Sequence, residues 1–437
     1  MLADNAGMAK TFRPYEPDQR LLLPPSLQDW VPEGHLARFI SDMVDTLDLS
    51  DIEDAYTEER GYPPYHPCMM LKLLLYGYCT GTYSSRRIAA KLSDSVAFRV
   101  LAAGNEPDFR TISDFRKRHG AALKRMFDQV LRVCQEAGLV KLGRIAVDGT
   151  KIKANASKHK AMSYGRMKEK ETAIQREVRE ILERADQIDR EEDRRYGPDR
   201  RGDELPAELA TREGRLKKIR EAKAALEAEA RNNAKAEGKD PRRAKPKDRA
   251  QRNFTDPESR IQKTSDGFIQ GYNAQVAVDD LFQVIVAQHV TPTAPDVNEL
   301  RPAITSIETT LDAKPEAVIA DAGYWSEENV RTLQGKGIEA FIATGKQKHG
   351  GVAPAPRGRP PKNMTLRERM ARTLRTRRGR KIYSRRKTLA EPVIGQIKQA
   401  RGFRQFLRRG VSKVSEEWAL VCTAHNLLKL HTALRMV

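Results

Sequence analysis

The sequence has few cysteines and no long apolar run, and each shortage excludes a class of protein. Its 437 residues include only four cysteines, which are far apart and form no CxxC pair: Cys68, Cys79, Cys134 and Cys422. A zinc knuckle or a disulfide framework is therefore not expected, and a reducing cytoplasm fits this cysteine usage. No stretch approaches the roughly 20 apolar residues of a membrane span, and the N-terminal segment has no apolar signal core. We expect a soluble cytoplasmic protein without a membrane partner.

Acidic residues are scarce in one segment, residues 346–409. These 64 residues contain 21 Lys or Arg but only two acids, Glu368 and Glu391, so they hold +19 of the net charge of +20. Clustered Lys and Arg bind polyanions because each neutralised phosphate releases counterions. The alternative is a solvated basic segment, but the basic residues here are mixed with aliphatic and aromatic ones. The segment therefore favours a nucleic-acid partner.

Residues 1–140 are predicted to form a helical N-terminal domain that serves in DNA binding or in dimerisation. Apolar residues recur at helical spacing from about residue 15 onward. Pro67 is expected to open a buried helix. A single long amphipathic helix is expected over 111–138, closed by Gly138.

One part of this helical region indicates DNA binding. The segment YSSRRIAAKLS resembles the first part of a helix-turn-helix, with Ser84 or Ser85 as the N-cap. Arg86 and Arg87 follow the cap and are candidate DNA contacts. The alternative is a scaffold or dimerisation surface with a polar face.

The second domain, residues 141–436, is predicted to be α/β. Five segments rich in Val, Ile and small residues indicate strands, namely GRIAVDGTKIKANA, GYNAQVAVDD, FQVIVAQHVT, EAVIADAGYW and IEAFIAT. Helical segments follow the third and fourth strands, so we expect a mixed central sheet flanked by helices. Two insertions interrupt this order. Residues 160–252 are predicted to form an antiparallel helical hairpin, and residues 345–382 a basic insertion.

Two of the predicted strands lead into an aspartate. RIAVD reaches Asp148 and AVIAD reaches Asp321. Neighbouring strands lie about 4.8 Å apart, close enough for both carboxylates to share a cation. Oxygen ligands without His or Cys select Mg²⁺ or Mn²⁺ over zinc. The alternatives are that Asp148 belongs to an Asp-Gly turn and that Asp321 caps the next helix. Other acids of the domain compete for the role: Asp266, Asp279, Asp280 and Asp296.

Glu391 is an acid within the basic segment, and we expect it to complete a metal site. Pro392 follows it, as at the first turn of a helix. Lys398 lies two turns later on the same face, and the chain before the helix can bring Lys387 to that side. The carboxylate would hold the metal while the lysines hold phosphate oxygens. The alternative is a Glu that merely stabilises a helix N-terminus. Two metal ions so placed would support phosphodiester cleavage and strand transfer.

The sequence resembles the DDE transposases of bacterial insertion sequences. The motifs that carry the resemblance are VDGTKIKANASK, DPESRIQKTSDGFIQGYNAQVAVDD, VIADAGYWSEENV and RRKTLAEPVIGQIKQARGFRQFLRRG. The resemblance implies an RNase H-like catalytic core, with Asp148, Asp321 and Glu391 as the metal-binding triad. It also implies Mg²⁺ or Mn²⁺ as cofactor, double-stranded DNA (transposon ends and target) as substrate, and a homodimer in the synaptic complex. Such an enzyme would work at the nucleoid.

Many such enzymes carry a Tyr, Arg, Glu, Lys signature around the glutamate. Glu391 and Lys398 match it, whereas the Arg position holds Lys387 and the Tyr is displaced by one residue to Tyr383. This departure puts a hairpin-forming cleavage mechanism in doubt.

Further candidate DNA contacts lie outside the triad. PRGRPPK contains Arg357 and Arg359 in an arrangement that inserts into narrow A·T minor grooves, or it is a flexible basic loop. The basic segment also offers Arg401 and Arg404. Trp325 is either a platform for a flipped-out base or a core residue. The histidines, His289 and His425, are expected to be structural.

Two other functions remain open from the sequence alone. One is an RNase H-like nuclease that cuts DNA without joining strands. The other is a non-catalytic DNA-binding protein whose acids are inert.

Overall fold

The computed structural model describes residues 27–56, 64–196, 207–264, 267–345, 354–361 and 363–435. Within these residues, seven α-helices precede the first strand, after a 3₁₀ turn at Leu27–Trp30: α1 Leu36–Asp45, α2 Ser50–Glu53, α3 Pro67–Cys79, α4 Ser85–Asp94, α5 Val96–Leu101, α6 Phe109–Arg118 and α7 Gly120–Glu136. The prediction of a helical N-terminal region is confirmed over the residues described. Pro67 is the first residue of the buried α3, and Ser84 is the N-cap of α4.

The prediction of one long helix over 111–138 is wrong in one respect, because this segment is divided into α6 and α7 at His119. This residue leaves helical geometry, with φ −103° and ψ 19°, and its Nε2 lies 3.1 Å from Tyr56 Oη. The predicted end at Gly138 is confirmed. Gly138 has φ +73°, and the Leu139 N–H donates to the Cys134 carbonyl at 2.9 Å, as in a Schellman motif.

Eight strands follow in the described residues: β1 Arg144–Lys153, β2 Ala161–Ser163, β3 Gln251–Asn253, β4 Arg260–Thr264, β5 Gly267–Asp279, β6 Ile285–Thr291, β7 Ala317–Ala320 and β8 Glu339–Ile342. Six of them form one mixed sheet in the order β4-β5-β1-β7-β8, with β6 also paired to β5. β1 is antiparallel to β5 and parallel to β7. All five predicted strands are present; β4 in this sheet and the separate β2–β3 pair are additions.

Eight further helices surround or extend from the sheet: α8 Tyr164–Tyr196, α9 Ala207–Ala236, α10 Leu300–Leu311, α11 Glu327–Gly335, α12 Leu366–Arg375, α13 Arg377–Ser384, α14 Arg386–Gly395 and α15 Val411–Leu434. α14 packs on β1 and β5, whereas α10 and α15 pack on β6. One hydrophobic core runs from the N-terminal helices through α15 into the sheet. The mixed sheet flanked by helices is therefore confirmed.

The predicted helical hairpin lies between β1 and β5 and consists of α8 and α9. Its antiparallel course is shown by two ion pairs, Arg212 with Glu177 and Arg220 with Glu171. The hairpin has its own small core, separate from the main one, which includes Ile174, Leu216, Ile219 and Leu226. Most of the predicted break, RRYGPDRRGDELP, lies outside the described residues. At the base of the hairpin β2 pairs with β3.

Among the described residues, no helix is both long enough and apolar enough to cross a membrane.

Candidate active site

The register between β1 and β7 brings two aspartates together. Val147 lies opposite Ala320 in this parallel pair, and the next residues are Asp148 and Asp321. β1 continues to Lys153 paired with β5, so Asp148 lies within a strand and the Asp-Gly turn is excluded. Asp321 follows β7 and accepts a hydrogen bond from the Gly323 N–H at 2.7 Å. It therefore caps a short turn while remaining beside Asp148.

The electrostatics of Asp148 show that the other two predicted acids act on it. Burial, together with the negative charges of Asp321 and Glu391, raises the pKa of Asp148 to about 6 against the opposing effect of Arg386. Negative charges that raise the pKa of a neighbouring carboxyl create a negative potential that favours a cation. The structure therefore places Asp148, Asp321 and Glu391 in one region.

Glu391 does not open a helix, contrary to the prediction. It is the sixth residue of α14, and Pro392 lies inside that helix. Pro392 has no N–H to give to the carbonyl of Thr388 four residues earlier. That carbonyl instead accepts a hydrogen bond from the side chain of Gln283 at 2.9 Å, which compensates the missing bond. A mere N-terminal role for Glu391 is excluded by the same observation.

Arg386 joins two of the acids. Its Nη1 lies 3.2 Å from Asp148 Oδ2, and its Nη2 lies 2.9 Å from Glu391 Oε1. Arg386 also lowers the pKa of Tyr383, which burial raises. Lys387, which occupies the Arg position of the signature in the sequence, is exposed. The sequence offered a clue to Arg386, because Arg386 and Tyr383 are both displaced by one residue from their positions in the signature. The spacing between the two residues is therefore kept.

Lys398 lies on the expected side of β1. It belongs to a π-helical turn, Gln396–Ala400, which continues α14. Its Nζ donates to Thr150 Oγ1 at 3.1 Å and to the Lys151 carbonyl at 3.3 Å. Thr150 is two residues after Asp148, so the two side chains share one face of the strand. Single π-turns within helices are frequent at functional sites.

The acids suit a hard cation by their chemistry. All three offer carboxylate oxygens, and within the described residues no His or Cys joins them, a set that selects Mg²⁺ or Mn²⁺. As placed in the described part of the chain, no three His, Cys, Asp or Glu side chains are close enough to hold one ion. The guanidinium of Arg386 instead contacts both Asp148 and Glu391.

The contacts of the other candidate acids show which of them have structural roles. Asp279 accepts hydrogen bonds from the backbone of Leu142 and Leu281, and Asp280 forms ion pairs with Arg144 and Arg385. Both are therefore bound in structural contacts. Asp296 is different, because it lies against the glycines beside Asp148 and Asp321. Asp266 lies outside the described residues.

The candidate DNA contacts fall into two groups. Those with exposed side chains are Arg86, Arg87, Arg357, Arg359 and Arg404. Arg401 instead directs its guanidinium inward to the Val421 carbonyl and His425, which favours a structural role. Trp325 is half-buried and packs against the main core.

The two histidines have structural partners, as predicted. His289 Nε2 lies 2.7 Å from Glu299, and His425 Nε2 lies 3.0 Å from the Gln283 carbonyl.

Comparison with family models identifies this arrangement. Residues 25–118 match the Transposase domain (DUF772), and residues 231–427 match the Transposase DDE domain. The second range contains Asp321 and Glu391, whereas Asp148 lies between the two ranges. The chain belongs to the DDE transposases of insertion sequences. This transposase is an enzyme that cleaves DNA and transfers strands with the aid of a divalent metal ion.

Neither the comparison with curated proteins nor that with solved structures found a match for the transposase.

Proposed function

We propose that this transposase binds the terminal inverted repeats of its insertion sequence and that Asp148, Asp321 and Glu391 hold two Mg²⁺ or Mn²⁺ ions for cleavage and strand transfer. The observation that carries the proposal is the single guanidinium of Arg386 lying between Asp148 and Glu391. A protein cation at that place opposes the burial and the negative charges of Asp321 and Glu391 that raise the pKa of Asp148.

We propose further that the catalytic region, residues 141–436, has an RNase H-like core. The five strands predicted from the sequence are β1, β5, β6, β7 and β8, and in the sheet they lie in the order β6, β5, β1, β7, β8. β6 is antiparallel to β5 and β5 to β1, whereas β7 is parallel to β1 and β8 to β7. This order supports the assignment because it brings the two aspartates onto adjacent strands.

The residues of the site have distinct roles in this proposal. When bound, the metal ions would activate the attacking water or 3′-hydroxyl and stabilise the leaving oxygen. The backbone of Asp148 is fixed on a paired strand and that of Asp321 by its turn. Glu391 is half-exposed on α14 and can adjust to its ligand. Lys398 lies beside them with an ammonium suited to a phosphate oxygen.

The DNA would approach across exposed basic residues on both sides of the site. Lys387 is exposed one residue from Arg386, and Tyr383 is half-buried beside it. Arg404 extends the basic surface on one side, and Arg357 and Arg359 offer contacts from the basic insertion. These positions support phosphate contacts, which fix the register of DNA but do not read its sequence. Trp325 remains a candidate for stacking on a base.

The other parts of the chain fit a paired-end complex. We propose that residues 1–140 bind DNA or mediate dimerisation, and that the helical hairpin holds two subunits or clamps DNA. The hairpin suits such a task because its core is separate from the main core. The enzyme would then act as a homodimer on DNA at the nucleoid.

The test is the variant Asp321→Asn, which keeps the shape of the side chain and removes its charge. We expect Mg²⁺-dependent cleavage of DNA carrying the element ends to fall by at least about 10³-fold, in line with losses on removing a catalytic group. Asp312→Asn is the matched control, because Asp312 is an exposed acid of the same domain with φ +49°, a conformation that Asn tolerates. Undiminished cleavage by Asp321→Asn would show that the metal-site assignment is wrong.

Strand transfer is separated from nuclease activity by supplying pre-cut element ends with a target plasmid. We expect joined products. Cleavage without joining would favour the nuclease, and binding without either reaction would favour an inert DNA-binding protein.

A further inference from the structure

A buried polar network lies on the opposite face of β1 from the Asp148 side chain. At its centre, Oδ1 of Asp296 accepts hydrogen bonds from Asn273 Nδ2 at 2.6 Å and from Gln275 Nε2 at 2.8 Å. Lys151 Nζ approaches the same oxygen at 3.3 Å. Three donors from β1 and β5 therefore converge on one carboxylate oxygen, and two of them are fully buried amides.

The Asp296 carboxylate lies close to both segments that carry the aspartates, Asp148 and Asp321. A Cβ on Gly149, the neighbour of Asp148, would lie 2.4 Å from Gln275 Nε2 and 2.9 Å from Asp296 Oδ1, so a side chain there would displace this network. A Cβ on Gly323 would lie 3.3 Å from Asp296 Oδ2 and 3.0 Å from Asp321 Oδ1. Asp296 thus borders the residue after Asp148 and the turn that Asp321 caps.

The network also reaches the rest of the site. The fully buried Tyr324, in the turn after Asp321, donates its hydroxyl to Gln275 Oε1. The amide of Gln275 therefore joins this turn to Asp296. On the other side, Lys151 Nζ also donates to the Ala294 carbonyl at 2.8 Å, and the Lys151 carbonyl accepts from Lys398. Displacing Asp296 would disturb β1, the turn after β7, and the lysine of the signature.

From these contacts we infer that Asp296 is a positioning residue that fixes the separation of Asp148 and Asp321. The inference rests on the proposed metal-binding role of those two acids. Asp296 performs this task because its single negative charge satisfies one cation and two buried amides at once. Without that acceptor, the side-chain amides of Asn273 and Gln275 would each lose a buried hydrogen bond, and only weaker contacts would remain, such as that of Gln275 Nε2 with Asn273 Oδ1 at 3.0 Å.

The experiment measures Mn²⁺ binding to the full-length, DNA-free protein by electron paramagnetic resonance. We expect Asp296→Ala to raise the Mn²⁺ concentration at half-saturation by about 10–100-fold, the usual effect of losing a group that orients metal ligands. Asp296→Asn should show a smaller increase, because its amide oxygen still accepts from Asn273 and Gln275 but no longer carries the charge that pairs with Lys151.

Glu308→Gln is the matched control, because Glu308 is a partly buried acid in the same domain that is ion-paired to Lys336 at 2.6 Å. It should bind Mn²⁺ as the wild type does. If Asp296→Ala does not fold, Asp296→Asn carries the test alone. Wild-type Mn²⁺ binding by every Asp296 variant that folds would overturn the inference.

Asp321→Asn in the same assay distinguishes this failure from that of the proposed function. If Asp321→Asn loses Mn²⁺ binding and the Asp296 variants keep it, only the role of Asp296 is refuted. If Asp321→Asn also binds Mn²⁺ normally, the metal site itself is refuted.

Discussion

Arg386 and Asp148 are 238 residues apart in the chain and form an ion pair, with Nη1 3.2 Å from Oδ2. The second arm of the same guanidinium binds Glu391. Arg386 therefore occupies the space between two acids that we assign to a metal site. A metal ion that joins these acids has to displace it, so Arg386 and the metal compete for the same carboxylates.

Removing this competitor should tighten metal binding. We predict that Arg386→Gln lowers the Mn²⁺ dissociation constant of the DNA-free protein by about tenfold, because a charged hydrogen bond is worth about 1.5–3 kcal/mol. Titration at pH 8 keeps Asp148 ionised. Arg385→Gln is the control, since the neighbouring arginine approaches Asp280 and not the triad. Equal or weaker binding by Arg386→Gln would show that the guanidinium supports the metal site instead of competing for it.

The helical hairpin should be removable without unfolding the core. Ser163 and Gln251 are opposite each other in the β2–β3 pair, so a short Asn-Gly turn can replace residues 165–250. We predict that this variant binds a single transposon end but no longer forms paired-end complexes in gel-shift assays. Paired complexes at wild-type yield would contradict a role for the hairpin in pairing.

The N-terminal helices offer a separate test of DNA binding. Arg86 and Arg87 are exposed at the start of α4, and Arg86 lies 5.1 Å from the Phe109 ring centre. We predict that the double variant with Arg86→Gln and Arg87→Gln has a weaker salt dependence of DNA binding. The slope of log K against log salt concentration should fall in magnitude by about 2, since each phosphate contact contributes about 0.9. Arg125→Gln, an exposed arginine paired with Asp51, should leave the slope unchanged. An unchanged slope in the double variant would favour the scaffold alternative.

The buried His425 should make the protein sensitive to acid. Burial, together with the nearby cations Arg401 and Lys429, lowers its pKa from 6.5 to about 3. The unfolded chain takes up a proton below pH 6.5 while the folded chain does not, so stability falls as the pH drops through this range. Between pH 7 and 5 the loss from this group is about 2 kcal/mol.

His425→Gln removes the titrating ring and keeps a polar side chain that can donate and accept. We predict that the free energy of unfolding, measured with urea, falls by about 2 kcal/mol more in the wild type than in this variant between pH 7 and 5. Parallel losses would mean that His425 is protonated in the folded protein as well.

Much of the α/β region was predictable because its strands are short runs of aliphatic residues with clear ends. AVIAD has that form, and Asp321 indeed follows β7 directly. RIAVD does not end at Asp148, because β1 runs on through polar residues whose strand character comes from pairing with β5. The tertiary partner, and not the local sequence, decides where this strand stops.

The helix that carries Glu391 was harder to predict, because proline occurs both in the first turn of a helix and, less often, inside one. Pro392 suggested a first turn, yet it lies inside α14, where the Gln283 side chain binds the carbonyl that proline leaves free. Asp296 could not be singled out, since its importance depends on the close approach of Gly149 and Gly323. Such long-range contacts have no signature in spacing along the chain.

Replacing the metal with Fe²⁺ and adding ascorbate and peroxide gives the most direct measurement, because hydroxyl radicals cut the backbone near a bound iron. We predict cuts close to Asp148, Asp321 and Glu391 together, all suppressed by excess Mg²⁺ and weakened in Glu391→Gln. Cuts confined to other segments, or cuts near the aspartates that are unaffected by Glu391→Gln, would contradict a metal site shared by these three acids.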